Sequence, residues 1–410
     1  MKQLSTRLCL VTLAALALSC GGAARAAVSQ PPVLAVALHR HLSHVEIGAT
    51  KGFKLTDGSG RELDLQWGGS RITITGTLGG LRYRNALTHT MRVLPSGGGF
   101  AQVNGKPYRG TLELRADGRG GLDVVNQVGI EQYLWGVVKA EMSATAPAAA
   151  QRAQAVAART FAMRNKDSLK AGEQSQVYGG VAMEDPRCVR AVNDTRGVVA
   201  TFDGRLIEAQ YHAACGGHTE NNEDVWETSE PVPYERATRC WGCENFPMTS
   251  WSVELDYATI RKKLMDFQWE VGDISRIEFN KTATGRVKEV MVHSTTGMAR
   301  IPGNNFRLII DRRAIKSLML ESGGPVEVAS AAEDEDNAPV ATGDDRAIRG
   351  IISQYMMTDS SGHVLKLSGR GSGHGVGMCQ WGARQLAIAG KTYQEILRYY
   401  YSGIELRRAY

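Results

Sequence analysis

The chain has 410 residues, of which 43% are hydrophobic and 22% charged, with a formal charge of +6. That is an ordinary globular balance, long enough for two or three domains. The pI of about 8.9 suits a polyanionic partner, but no Lys/Arg run is dense enough to argue for nucleic acid, and that partner class is set aside.

At the N-terminus, Lys2 and Arg7 flank the short apolar run "LCLVTLAALAL", and "ARA" follows at 24–26. This is the layout of a secretory signal peptide, residues 1–26, and the run is too short to span a bilayer comfortably. Lipoprotein processing at Cys20 in "ALSC" is the alternative. Both readings export the chain to the periplasm or cell envelope. Of seven cysteines, cleavage after Ala26 removes Cys9 and Cys20. The odd remainder cannot all pair within one chain, so an exported protein needs another use for its thiols, such as a metal.

Residues 27–126 read as β-rich: "RITITGTL", "TLELRAD" and "LDVVNQV" alternate or are β-branched, and Gly-rich turns separate them. Helical periodicity begins at Ile130 and runs to about Leu169, with Pro147 in the first turn of a second helix. Strands return over 176–212. A loop-rich Cys/His segment follows to about 247, then a small α/β insertion at about 250–326. Residues 327–346 form an acidic, flexible surface loop, and a Gly-rich loop and two helices end the chain. The expected class is α+β: a β-rich N-terminal part, a helical core with mixed strands from 127 to 410, and the insertion beside a cleft.

Four places can carry chemistry. Ile130, Leu134 and Val137 form an apolar stripe whose next position is Glu141. A carboxylate on a buried face is desolvated, which raises its pKa and lets it hold a proton for donation near neutral pH. On the following helix, Ala149, Ala153, Val156, Thr160 and Met163 make a small-residue packing face. Arg159 stands out there, as a partner for Glu141 or for a polar substrate. His212-x2-Cys215 with Cys240-x2-Cys243 is a plausible tetrahedral zinc set, with His218 competing for the His position and a disulfide as the alternative. In "GRGSGHGVGMCQWGARQLA", glycines at 369, 371, 373, 375 and 377 signal close backbone approach around His374. The spacing fits neither a dinucleotide fingerprint nor a P-loop. Cys379 beside His374 raises a thiol nucleophile as a lesser alternative.

Together, "QYLWGVVKAEM", "QAVAARTFA", "QVYGG", "GVVATFDGRLIEAQYHAACGGHTENNEDVW" and "GRGSGHGVGMCQWGARQLAIAGKTYQEILRYYYSGIEL" resemble the SpoIID/LytB family, the stage II sporulation protein D and amidase-enhancer group. The resemblance implies a lytic transglycosylase acting on peptidoglycan glycan strands between N-acetylmuramic acid and N-acetylglucosamine, favouring peptide-stripped strands. It places the catalytic carboxylate on Glu141. Arg159, His374 and Gln380 are then the candidates for substrate contact. It also supports one structural zinc near "CGGHTE", with no cofactor needed for the chemistry, and a cell-wall amidase as a partner. Ser143 stands where the family usually has Pro after "EM", and Ser372 where many members have a larger residue. A non-catalytic, glycan-binding amidase enhancer is the alternative.

Overall fold

The computed structural model describes residues 30–172, 175–227, 230–240, 242–243, 250–326, 352–353 and 364–410. The leader and the acidic stretch 327–346 lie outside the described residues.

The architecture is mixed α+β. Two six-stranded antiparallel sheets build the N-terminal part, and their inward-facing residues, such as Val36, Ile47, Phe53, Leu55, Val93 and Leu114, alternate with outward polar ones. Val33–Leu42 is an edge strand of the first sheet and pairs with Leu122–Gly129. Its register slips twice, between Ala37 and His39 and between His39 and Leu42. Tyr133, Leu134 and Val137 join this same core, so the sheets pack directly on the first helix.

That helix, α1 (Ile130–Glu141), ends at the carboxylate singled out above, and Met142 takes the C-cap with its N–H on Val138 O. A turn through Pro147, which sits at the N-cap, leads into α2 (Ala148–Arg164). The second helix therefore stops short of Leu169. Its faces divide between two cores: Ala155, Ala158 and Ala162 meet the first, and Ala153, Val156 and Ala157 meet another. The second of these cores gathers α7 (Gln380–Ile388), α8 (Tyr393–Tyr400) and four cysteines. Two shorter helices, α3 (Pro186–Asp194) and α4 (Asn222–Val225), lie between.

The insertion has its own core around Ile260, Val290, Ile301 and Phe306. It holds α5 (Tyr257–Asp266), α6 (Gly303–Asp311) and antiparallel strands Ile274–Lys281, Val287–Ser294 and Gly297–Pro302. Its second sheet pairs Ser250–Asp256 with Val364–Arg370, so a strand from beyond the acidic stretch completes it.

Candidate functional site

A cleft of about 1130 Å³ lies between the helical core and the insertion. Glu141, Val177, Tyr211, His374 and Gln380 line one side. Phe267, Asn304, Arg307, Leu308 and Lys316 line the other, with Arg312 and Arg313. Among the described residues, Glu141 is thus the only carboxylate lining the cleft, and it faces a strongly cationic wall.

Glu141 is half-buried, and its Oε1 accepts the backbone N–H of Val177 at 2.7 Å. Val177 is fixed by its neighbour. The buried Gln176 amide accepts from Tyr133 Oη at 3.0 Å and donates to Tyr211 Oη at 3.0 Å and Ala158 O at 3.2 Å. One side chain thereby ties α1, α2 and the Tyr211 strand together behind the carboxylate. Burial, and then the nearby Glu141 charge, push the Tyr133 and Tyr211 hydroxyls well above their ordinary range. Both stay neutral, Tyr133 donating to Gln176 and Tyr211 accepting from it. Gln176 was not singled out from the sequence. An isolated Gln in "QVYGG" has no periodic signal.

The Gly-rich loop is held by pairing of Tyr211–His212 with Met378–Cys379, and by reciprocal backbone bonds between Ala214 and Ser372. Gly377 has φ +69°, and a Cβ there would lie 2.1 Å from Gln210 O, so the close approach expected from the glycines is realised. His374 Nε2–H donates to Tyr211 O at 3.0 Å while its Nδ1 accepts from Val376 N–H at 3.2 Å. Burial, and then His212, hold its pKa well below the ordinary value, so the ring is neutral. Trp226 packs on it with centroids 5.1 Å apart. Gln380 reaches back to α2, donating to Gln154 Oε1 at 3.2 Å.

Arg159 does not take the role expected of it. It is fully buried and pairs with Glu131 through Nε at 3.1 Å and Nη2 at 2.8 Å, and it also caps Val192 O and Val198 O. Glu131 accepts further from Gly197 N–H and Tyr410 Oη. Burial works against the Glu131 charge, but Arg159 and these donors outweigh it and lower its pKa. The physical reason is position: on α2, Arg159 points at the start of α1, whereas Glu141 stands at its end.

The zinc set is also redrawn. The sulfurs of Cys215, Cys240, Cys243 and Cys379 all lie within 4.8 Å of one another, all buried. His212 is not among them. Its Nδ1–H donates to Val376 O at 3.0 Å, and burial lowers its pKa to about 4. His218 is likewise outside the group. Cys379, facing His212 in register, takes the fourth place, with its sulfur accepting Cys215 N–H at 3.4 Å and Gly382 N–H at 3.3 Å. The Cys379–Cys243 sulfur separation is 3.6 Å. A tetrahedral ion with metal–sulfur bonds of about 2.3 Å needs about 3.8 Å, so the four residues fit a zinc or similar thiophilic ion. None of the five described cysteines is in a disulfide. Burial drives the Cys215 and Cys379 thiols up, while hydrogen bonds from the other cysteines depress Cys243. Cys379 is thus buried within this group of four thiols rather than set beside His374 as a nucleophile. A four-thiolate set leaves no open position for chemistry.

A model of the family described as "SpoIID: Stage II sporulation protein" matches residues 118–202. An uncharacterised protein of Brachyspira hyodysenteriae is 31% identical over 74% of this chain and 73% of its own length. The stage II sporulation protein D of Bacillus subtilis is 28% identical over 70% of this chain and 76% of its own. The chain belongs to the SpoIID family. The amidase enhancer of Bacillus subtilis is 30% identical over 67% of this chain, but the match spans only 40% of that protein. The SpoIID match contains α1, α2, Gln176 and Val177, that is, Glu141 and the segment that positions it. The Gly-rich loop, Cys379 and the cationic wall on the insertion fall outside residues 118–202.

Proposed function

We propose that the protein is a peptidoglycan lytic transglycosylase that cleaves between N-acetylmuramic acid and N-acetylglucosamine. The observation that carries this reading is a single positioned carboxylate, Glu141, in a cleft large enough for several sugar rings, in a chain of the SpoIID family. The Glu141 carboxyl donates its proton to the glycosidic oxygen as the C1–O bond breaks. The resulting carboxylate then takes the proton of the muramic acid 6-hydroxyl as that oxygen bonds to C1. The proton lost is regained, no water is consumed, and the product ends in a 1,6-anhydro sugar. One carboxylate therefore suffices, unlike the pair that hydrolysis requires. Val177 N–H fixes the carboxyl's aim, and neutral His374 and Gln380 border the sugar path.

Cys215, Cys240, Cys243 and Cys379 would hold one zinc ion, which would clamp the 212–243 loop to α7 without entering the reaction. We place the protein outside the cytoplasm, on the wall, with peptide-stripped strands as its preferred substrate.

A relative named amidase enhancer favours a second reading, in which the cleft binds glycan and stimulates an amidase without cutting. Mass spectrometry of glycan digested with the purified protein decides. Anhydro ends support the transglycosylase. Binding without product supports the enhancer. Released stem peptides would overturn both.

A further inference from the structure

The Glu141 cleft does not end at its cationic wall. Arg312, on that wall, also lines a second depression of about 320 Å³ on the N-terminal sheet. His39, Arg40 and Lys170 line it as well, and no acidic side chain among the described residues does. The depression is a built feature of the edge strand. The register slip between Ala37 and His39 leaves Leu38 as an extra residue, a bulge that turns the edge outward. The outer edge of Ala37 is taken up by the 169–171 segment, through Ala37 N–H to Leu169 O at 3.0 Å and Ala171 N–H to Ala37 O at 2.9 Å. That pairing sets Lys170 opposite Ala37, so that it lines the same depression as Arg40. Cations therefore run from Lys316 and Arg313 through Arg312 to Lys170 and Arg40, across two parts of the fold.

We infer that this depression is a distal subsite for the same glycan strand, recognising carboxylates on sugars beyond those in the cleft. The inference rests on the transglycosylase or enhancer reading for its ligand. A peptide-free strand carries one lactyl carboxylate on each N-acetylmuramic acid, so negative charge recurs on alternate sugars. A track of spaced cations matches such a strand and gains with each repeat engaged, as linked contacts do. A short oligosaccharide fills the Glu141 cleft alone.

The test is binding of end-labelled, peptide-free strands to the Glu141→Gln protein, comparing long strands with tetrasaccharides. Arg40 and Lys170 are exposed and outside the reaction, so Arg40→Glu with Lys170→Glu leaves the fold intact. The pair should weaken long-strand binding about tenfold at low salt and leave tetrasaccharide binding unchanged. The difference should shrink as salt rises. Long strands with amidated carboxyls should lose their advantage on the parent. Unchanged long-strand affinity, equal losses for both lengths, or full-strength binding of amidated strands would each overturn the subsite. Product analysis of the unsubstituted protein judges the cleavage reading separately, because a protein that never cuts can still show or lack the length-dependent effect.

Discussion

The backbone N–H of Val177 meets Oε1 of Glu141 at 2.7 Å. This bond helps to aim a carboxyl that stands at the last residue of its helix. The donor is held in turn by Gln176, wedged between Tyr133 and Tyr211.

Replacing Glu141 by Gln keeps the shape and one acceptor oxygen but removes the exchangeable proton. Cleavage should fall by at least about 10²–10⁴-fold, while glycan binding and the unfolding midpoint stay near the parental values. Anhydro-product release at the parental rate would remove Glu141 from the mechanism.

The metal prediction now separates two residues. Protein purified without chelator should contain about one zinc per chain. Cys379→Ser should lose the metal and much stability, whereas His212→Ala should keep the metal. Zinc retention in the Cys379 variant with loss in the His212 variant would restore the ligand set expected from spacing.

The Arg159–Glu131 pair is wholly internal. Arg159→Met strands a buried carboxylate and should cost about 3–5 kcal/mol in urea unfolding. Adding Glu131→Gln should recover a good part of that, because the uncompensated charge is gone. Equal losses in the single and double variants would mean that the damage is packing rather than charge.

Glu235 supplies a pH test away from the cleft. Burial raises its pKa to about 7, against the opposing hydrogen bond from Gln210 N–H. The folded state thus holds a proton that the unfolded state releases, so stability should fall as pH rises from the ordinary Glu range through about 7. Glu235→Gln should flatten that decline and gain on the order of 3 kcal/mol above it. An unchanged pH profile in denaturant titrations would show that Glu235 is not the group responsible.

Legibility followed distance along the chain. Glu141 was visible because it breaks the periodicity of its own helix, a local signal. The α+β class was visible for the same reason. The partner of Arg159 was not: Glu131 lies 28 residues away on another helix, and the sequence offers no register between the two. Cys240 and Cys243 announce themselves by x2 spacing, but Cys379 stands 136 residues from Cys243 and is brought to it by long-range pairing that no local spacing encodes. The cationic wall belongs to an insertion whose packing on the core no local pattern encodes.

The strand Val364–Arg370 closes the insertion's sheet, and the residues just after it supply His374, Cys379 and α7. This one stretch of chain therefore completes three things at once: the sheet begun by Ser250–Asp256, the group of four thiols, and the part of the cleft that faces Glu141. Displacing it would leave a strand without its partner, three thiols without a fourth and a carboxylate without the chamber that directs it. Damage to this stretch should thus register in the insertion, the cysteine cluster and the cleft together.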